Sequence, residues 1–311
     1  MPLEYQTLLE QMSEDLSLLK PHLNLIMRTA PLRYKAFFIK KKNGSQRLVA
    51  QPAREVKAIQ RWLTANVLKP LPIHESASAY RTGSSIKSNA KAHVSSNYML
   101  KIDFEKFFPS VKKRDIKDHL TKHLGNELTP DTLEMIAHSL VWAPSRTPSF
   151  ELCIGAPTSP LISNSILFEL DTAIAEYCIS KSVTFSRYAD DLTFSCSNKL
   201  VLNQVLSHVR LLLHRIEYPR LAINEHKTVF ASRRSRRCVT GIVLTPDHKL
   251  SVGRKRKREI RAMYHHFLLG ELDSDQVEEL FGLIGFVEDI EPGFFASLKS
   301  SVKITTRRDH D

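Results

Sequence analysis

The spacing of apolar residues changes period repeatedly along the 311-residue chain, and each change predicts an element. Residues 1–30 carry Leu, Met and Ile at helical spacing and predict an amphipathic helical extension. Residues 34–51, YKAFFIKKKNGSQRLVAQ, switch to two short apolar runs, Ala36–Ile39 and Leu48–Ala50. These flank Asn43-Gly44, which predicts a hairpin. Pro52 then opens a helix with Val56, Ile59, Leu63 and Val67 on one face. Residues 98–104, YMLKIDF, predict a strand that stops at Asp103. Ser110 is placed to cap a following charged helix, VKKRDIKDHL. Residues 153–160, CIGAPTSP, predict a loop, with Ser159 as helix cap and Pro160 at the first helical position. The long helix that follows is lined by Ile162, Ile166, Leu170, Ile174 and Tyr177. A hairpin centred on Asp190-Asp191 comes next, then a helix near 200–216, a short strand at Leu221–Ile223 and a strand at 239–244. From residue 254 the run RKRKREIR leads into Ile260, Met263, Tyr264, Phe267 and Leu268 at helical spacing. A second helix carries Val277, Leu280, Phe281 and Ile284.

This order predicts an α+β chain, a central antiparallel sheet with helices packed on it. Three segments follow from it: an N-terminal helical extension at 1–33, a main body at 34–250 and a basic helical subdomain at 251–311. Composition adds two constraints. A hydrophobic content of 42% is that of a globular chain and excludes disorder. Lys and Arg outnumber Asp and Glu by 45 to 33, a net charge of +12 that points to a polyanionic partner, nucleic acid first. Cys153, Cys178, Cys196 and Cys238 form no CxxC, and no histidine stands at zinc-finger spacing from them. Buried thiols in a reducing cytoplasm are the simpler reading. The N-terminus lacks the blocks of a signal peptide, and no run approaches the ~20 apolar residues that cross a bilayer.

The chemistry concentrates in RYADDLTFS, residues 187–195. Two adjacent carboxylates between two strand patterns read either as a solvated turn or as part of a cation site. If the strand ending at Asp103 pairs with this hairpin, three carboxylates converge, and such a cluster is costly without cations. Divalent magnesium takes oxygen ligands and leaves positions for substrate phosphates. Two such ions serve nucleotidyl transfer by activating a hydroxyl and stabilising the leaving pyrophosphate.

YADD at 188–191 resembles the catalytic box of reverse transcriptases, KIDFEKFFPS at 101–110 their first catalytic motif, and GAPTSP at 155–160 their template-and-nucleotide loop. NAKAH at 89–93 and VTG at 239–241 are similar to the NAxxH and VTG signatures of retron reverse transcriptases, in the same order. The resemblance spans roughly residues 34–290 and implies a right-hand polymerase of fingers and palm at 34–250 and a small helical thumb at 251–311. It implies Asp103, Asp190 and Asp191 as ligands of two Mg²⁺ ions, with the Phe104 backbone carbonyl beside them. Phe108, five residues after Asp103, aligns with the aromatic steric gate, while either Phe107 or Phe108 also reads as plain core. Arg47 is placed to hold the incoming triphosphate, with Gly155 in the nucleotide loop and Lys40, Lys41 and Lys42 as weaker candidates. Lys227, in INEHKTVF, aligns with the lysine that protonates pyrophosphate, a surface lysine being the alternative. Many reverse transcriptases carry Gln just before the Gly of the third motif, and here Ile154 stands there, so a polar contact to nucleotide or template is absent or supplied elsewhere.

For Asn89, His93, Val239, Thr240 and Gly241 the resemblance implies RNA contacts. His93 is open to four readings: catalytic base, metal ligand, RNA contact or local structure, the last two favoured because no carboxylate adjoins it in sequence. Arg254, Lys255, Arg256, Lys257 and Arg258 are expected to meet RNA phosphates, or to form an ordinary charged face. The retron resemblance further implies a structured noncoding RNA partner (msr-msd), priming from an internal guanosine 2′-OH, and branched single-stranded DNA (msDNA) made from dNTPs. An accessory effector in antiphage defence and a host RNase H for template removal are the other expected partners, in the bacterial cytoplasm and away from membranes. No fused RNase H or maturase region is expected. The rival readings are an intron-type polymerase without branched priming and a nucleoprotein module that mainly holds RNA and DNA.

Overall fold

A computed structural model describes residues 1–40, 44–144 and 149–300. The expectations for Lys41, Lys42 and the Asn43 position of the hairpin turn fall outside the described residues. The N-terminal segment forms α1 (Tyr5–Leu16) and α2 (Lys20–Thr29), which bury Leu8, Leu9, Met12, Leu23, Ile26 and Met27. β1 (Tyr34–Lys40) and β2 (Gln46–Pro52) pair antiparallel as a two-stranded ribbon, with Phe38 opposite Leu48 and Ile39 opposite Arg47. α3 (Arg54–Asn66) buries Val56, Ile59 and Leu63 as its period requires, and Pro52 still belongs to β2. Next come α4 (Ile86–Ala92), β3 (Tyr98–Asp103) and the single turn α5 (Phe107–Ser110). The chain continues through α6 (Lys113–Leu124), α7 (Pro130–Ser139), α8 (Ser159–Ser165) and α9 (Phe168–Ser180). β4 (Thr184–Tyr188) and β5 (Asp191–Cys196) lead into α10 (Lys199–Arg215). The described chain closes with β6 (Val229–Ser232), β7 (Arg237–Val239), β8 (Ile242–Leu244), β9 (Leu250–Ser251), α11 (Arg254–Leu268) and α12 (Ser274–Ile290).

Four local expectations change. Ser110 closes α5 and does not cap α6; the Asp115 carboxylate accepts the Lys112 backbone N–H at 2.8 Å and does that work. The long helix after Pro160 is two helices, because Leu167 leaves helical geometry at φ −96°, ψ 4° just after the poorly helical Ser-Asn-Ser. The strand expected at 239–244 is the hairpin β7–β8, turned by Thr240 and Gly241 at φ 47° and 87°. The strand expected at Leu221–Ile223 contributes one bridge, Ile223 to Phe104.

The strand order of the four-stranded sheet is β4-β5-β3-β6, and β7-β8-β9 form an antiparallel sheet of three. The chain divides into two compact units. The first comprises residues 1–82, 101–192 and 203–228 and contains the three aspartates of interest. The second comprises 83–100, 193–202 and the chain from 229. Its core gathers Ala90, Met99, Val239, Ile242, Leu244, Ile260, Leu280, Ile284 and Val287, so α4, the β7–β9 sheet, α11 and α12 share one apolar interior. Each such fully buried aliphatic side chain contributes about 1.5–3 kcal/mol.

Candidate active site

The site grows from a strand end and a strained turn. β3 delivers Asp103 at its last position, and β5, its neighbour in the sheet, begins at Asp191. Between β4 and β5, Ala189 takes a left-handed φ of 55°, which a non-glycine residue adopts only when its surroundings hold it there. Arg187 does the holding. Its guanidinium is fully buried, donates to Asp171 on α9 at 2.6 and 2.8 Å, and donates to the Ala189 carbonyl at 3.0 Å. Asn164 on α8 accepts a further bond from it at 3.2 Å. The Phe104 N–H donates to the Asp190 carbonyl at 3.2 Å and ties the turn to the end of β3.

Charge then decides the chemistry. Burial first, joined by the neighbouring Asp103 and Asp191 charges, lifts the Asp190 carboxyl above its ordinary range. Burial likewise raises Asp191, with Lys101 opposing and Asp103 adding to the rise. Lys227 reaches in from solvent and donates to Asp103 Oδ1 at 2.7 Å, beside the Asn224 amide at 3.3 Å. That bond, together with the three carboxylate charges, raises the Lys227 pKa and keeps the ammonium protonated. The three carboxylates are thus short of positive charge, and Lys227 supplies part of it. Among the described residues, no group of three or more His, Cys, Asp or Glu side chains is arranged to hold a metal ion. Lys227 stands on the Asp103 oxygen that such an ion would take. The donor set itself, all carboxylate oxygen, suits a hard divalent cation.

The expected nucleotide residues separate by burial. Phe104 and Phe107 are core, whereas Phe108 is partly exposed and lines a pocket with Gly155. Gly155 has φ 120°, and a Cβ there would lie 2.8 Å from the Ala50 carbonyl oxygen. Only glycine lets this loop meet β2, where the Ala50 N–H donates to the Ile154 carbonyl at 3.0 Å. Arg47 and Lys40 are exposed on the ribbon.

The residues expected at RNA divide more sharply. Asn89, His93 and Val239 are buried, so their side chains present no surface to a strand. His93 is 0% exposed, its ring nitrogen Nδ1 lies 2.7 Å from Ser195 Oγ, and burial lowers its pKa to about 4. Of its four readings this geometry fits local structure, and the RNA contact is corrected on that ground. Thr240 donates its hydroxyl to the Ile86 carbonyl at 3.2 Å, and Gly241 is exposed at the hairpin tip. On α11, Arg254, Lys255 and Arg258 are exposed. Lys257 is instead paired with Glu291 at 2.8 Å, and Arg256 lies over the Phe286 ring at 5.5 Å. Sequence reasoning did not find Arg187, Asp171 or Asn164. The available signal was an arginine inside a strand pattern, next to the motif.

Comparison with known proteins agrees with this geometry. The family model described as reverse transcriptase (RNA-dependent DNA polymerase) matches residues 39–263. The retron Ec83 reverse transcriptase of Escherichia coli is 35% identical over 282 residues, 90% of each chain. The retron Ec86 reverse transcriptase of Escherichia coli is 32% identical, covering 91% of this chain and 84% of that one. Among solved structures, a Candida tropicalis telomerase in complex with a fragment of telomeric RNA aligns with a TM-score of 0.51 at 10% identity. That alignment covers 88% of this chain but 55% of the telomerase, and it bears on the fold alone, a right-hand polymerase of mixed helix and sheet. With its YADD turn, its NAxxH and VTG segments and relatives matched over nine-tenths of its length, the chain belongs to the retron reverse transcriptase family.

Proposed function

We propose that this chain is a retron RNA-directed DNA polymerase that copies a structured noncoding RNA into branched single-stranded DNA. The observation that carries the reading is the meeting of Asp103 with the Asp190-Asp191 turn, Lys227 bonded to Asp103. Asp103, Asp190, Asp191 and the Phe104 carbonyl are the groups that would hold two Mg²⁺ ions. When bound, Mg²⁺ lowers the pKa of the primer hydroxyl and offsets charge on the triphosphate. The protein's own groups do the rest. Arg47 orients the triphosphate through its planar guanidinium. Phe108 sets a ring beneath the sugar and disfavours a 2′-OH. Lys227, protonated beside Asp103, gives its proton to the departing pyrophosphate.

In this reading the primer is an internal guanosine 2′-OH of the cognate RNA (msr-msd), and the product is msDNA with a 2′,5′ link. Residues 34–250 act as fingers and palm behind the 1–33 extension, and 251–311 as a thumb whose α11 meets RNA phosphates. A bacterial cytoplasmic setting, a host RNase H and an accessory effector in antiphage defence complete the proposal. The retron names of the relatives support it. The test expresses the gene with its native upstream DNA beside an Asp190→Ala/Asp191→Ala control. A discrete RNase-resistant single-stranded DNA, sensitive to debranching and lost in the control, is expected. Primer extension by purified protein without that DNA would point to a reverse transcriptase of another type. Absence of both activities would sink the polymerase reading.

A further inference from the structure

Ile154 leaves a polar contact unaccounted for, and the first unit contains a place that supplies one. A pocket of about 390 Å³ is lined by Lys57 and Arg61 on α3, by Tyr80, by Phe108, and by the loop from Ile154 and Gly155 onward. This size lies at the lower end of the range for small-ligand sites, about 300–1,000 Å³, and suits one nucleotide rather than a duplex. Lys57 and Arg61 stand one helical turn apart and point their charges to the same place. Among the described residues neither has a carboxylate partner within ion-pair distance. Two unpaired cations beside two aromatic residues form the combination that receives a single-stranded nucleotide, phosphate on the cations and base on a ring.

Tyr80 shows that the aromatic wall is built and not incidental. It holds a left-handed φ of 57° while remaining 56% exposed, a conformation that turns a large ring toward solvent at a backbone cost. Its hydroxyl lies within the electrostatic reach of Tyr188, Asp190 and Arg47, so the wall adjoins the catalytic turn. The preceding residue is pinned: Asn164 Nδ2 donates to the Ala79 carbonyl at 2.7 Å.

The incoming triphosphate is a poor occupant. Its phosphates must reach Asp103 and the Asp190-Asp191 turn, and none of these three lines the pocket, nor does Arg47. We infer that this pocket binds the templating nucleotide, with Lys57 and Arg61 on its phosphate, Tyr80 stacked on its base and Ile154 as an apolar floor. The inference rests on the polymerase reading above and assigns the template side of that site. Ile154 thereby loses nothing, because α3 provides the polar contact that a glutamine would make.

The test uses the full chain and fluorescein-labelled RNA–DNA primer-templates that are blunt or carry a template overhang of one or three nucleotides. Affinity is read by anisotropy without dNTP. The wild type is expected to gain about tenfold from blunt to one-nucleotide overhang, the usual worth of one stacked base. Lys57→Ala/Arg61→Ala is expected to lose most of that gain and to lower the log-affinity against log-salt slope by about 1.4, two single-strand phosphate contacts. Tyr80→Ala should lose the gain and Tyr80→Phe keep it. In all variants the KM for dNTP at saturating primer-template should hold within twofold. A raised dNTP KM with an unchanged overhang gain would overturn the inference and give the pocket to the triphosphate. No change in either quantity would overturn it too. Lys57→Gln/Arg61→Gln, with melting temperature checked, separates charge loss from misfolding. Because binding is read without catalysis, a chain that fails to extend primers yet shows the overhang gain would refute the polymerase reading and leave the pocket standing.

Discussion

At the residue scale, two cations hold the catalytic turn for different reasons, and their substitutions separate. Lys227 is exposed along most of its length and bonds Asp103 at its tip. It competes with a divalent cation for the same oxygen and also carries the proton that the leaving group needs. Lys227→Met is therefore expected to lower kcat about 100-fold at saturating Mg²⁺, the typical worth of a general acid, while lowering the Mg²⁺ concentration at half-maximal rate. Primer extension across a Mg²⁺ titration checks both, and a half-maximal concentration that rises would refute the competition. Arg187 acts from inside. It and Asp171 are both fully buried, so removing one partner strands a charge. Arg187→Met is expected to cost about 3–5 kcal/mol in urea unfolding, and Asp171→Leu added to it should recover a large part. A double variant no more stable than the single one would show that the pair's value lies in its bonds to Ala189 and Asn164.

At the element scale, long-period patterns were legible and breaks were not. The strand to Asp103, the Asp190-Asp191 hairpin and the faces of α3, α11 and α12 follow from apolar spacing, because burial enforces that spacing. The split between α8 and α9 did not show, because Ile162, Ile166, Leu170 and Ile174 keep helical register across it. The β7–β8 turn did not show either, since Thr240 looks like a strand residue and only its φ of 47° reveals otherwise. The catalytic triad was legible from motif spacing, but the Arg187 support was not, since nothing along the chain links residue 187 to 171 and 164. His93 illustrates the opposite error: a polar residue in a named motif can sit at the C-cap of α4 as buried structure. Burial holds its pKa at about 4 against 6.5 unfolded, so between these values the unfolded chain binds a proton that the folded chain refuses. Stability then falls as pH drops from 6.5 toward 4 and levels below that, by about 3 kcal/mol in total for this group. His119, lowered to about 3 by burial and by His123, acts in the same direction. His93→Gln should flatten the stability-versus-pH slope between pH 6 and 4.5 by one proton, about 1.4 kcal/mol per pH unit, in urea titrations. An unchanged slope would mean that His93 already exchanges protons in the folded state.

At the scale of the whole molecule, the net charge of +12 makes binding to any polyanion favourable, so affinity alone says little about where RNA sits. The basic run that opens α11 offers a sharper question because its members differ in what they touch. Arg254, Lys255 and Arg258 are exposed to solvent, whereas Lys257 is bonded to Glu291, which also accepts from the Ser251 hydroxyl and the Val252 N–H. A free surface cation that meets a phosphate releases a counterion, and its removal lowers the salt slope by about one. A cation committed to an internal pair cannot do so, and its removal leaves a half-buried carboxylate instead. Arg254→Gln/Lys255→Gln/Arg258→Gln is therefore expected to lower the log-affinity versus log-salt slope for the structured RNA by about two to three, with the melting temperature unchanged. Lys257→Gln is expected to leave that slope alone and to lower the melting temperature by several degrees. Filter binding at four salt concentrations, with thermal melts of the same preparations, measures both. A slope that responds equally to all four positions would mean that RNA opens the Lys257–Glu291 pair, and α11 would then bind along its whole first two turns rather than along its exposed face.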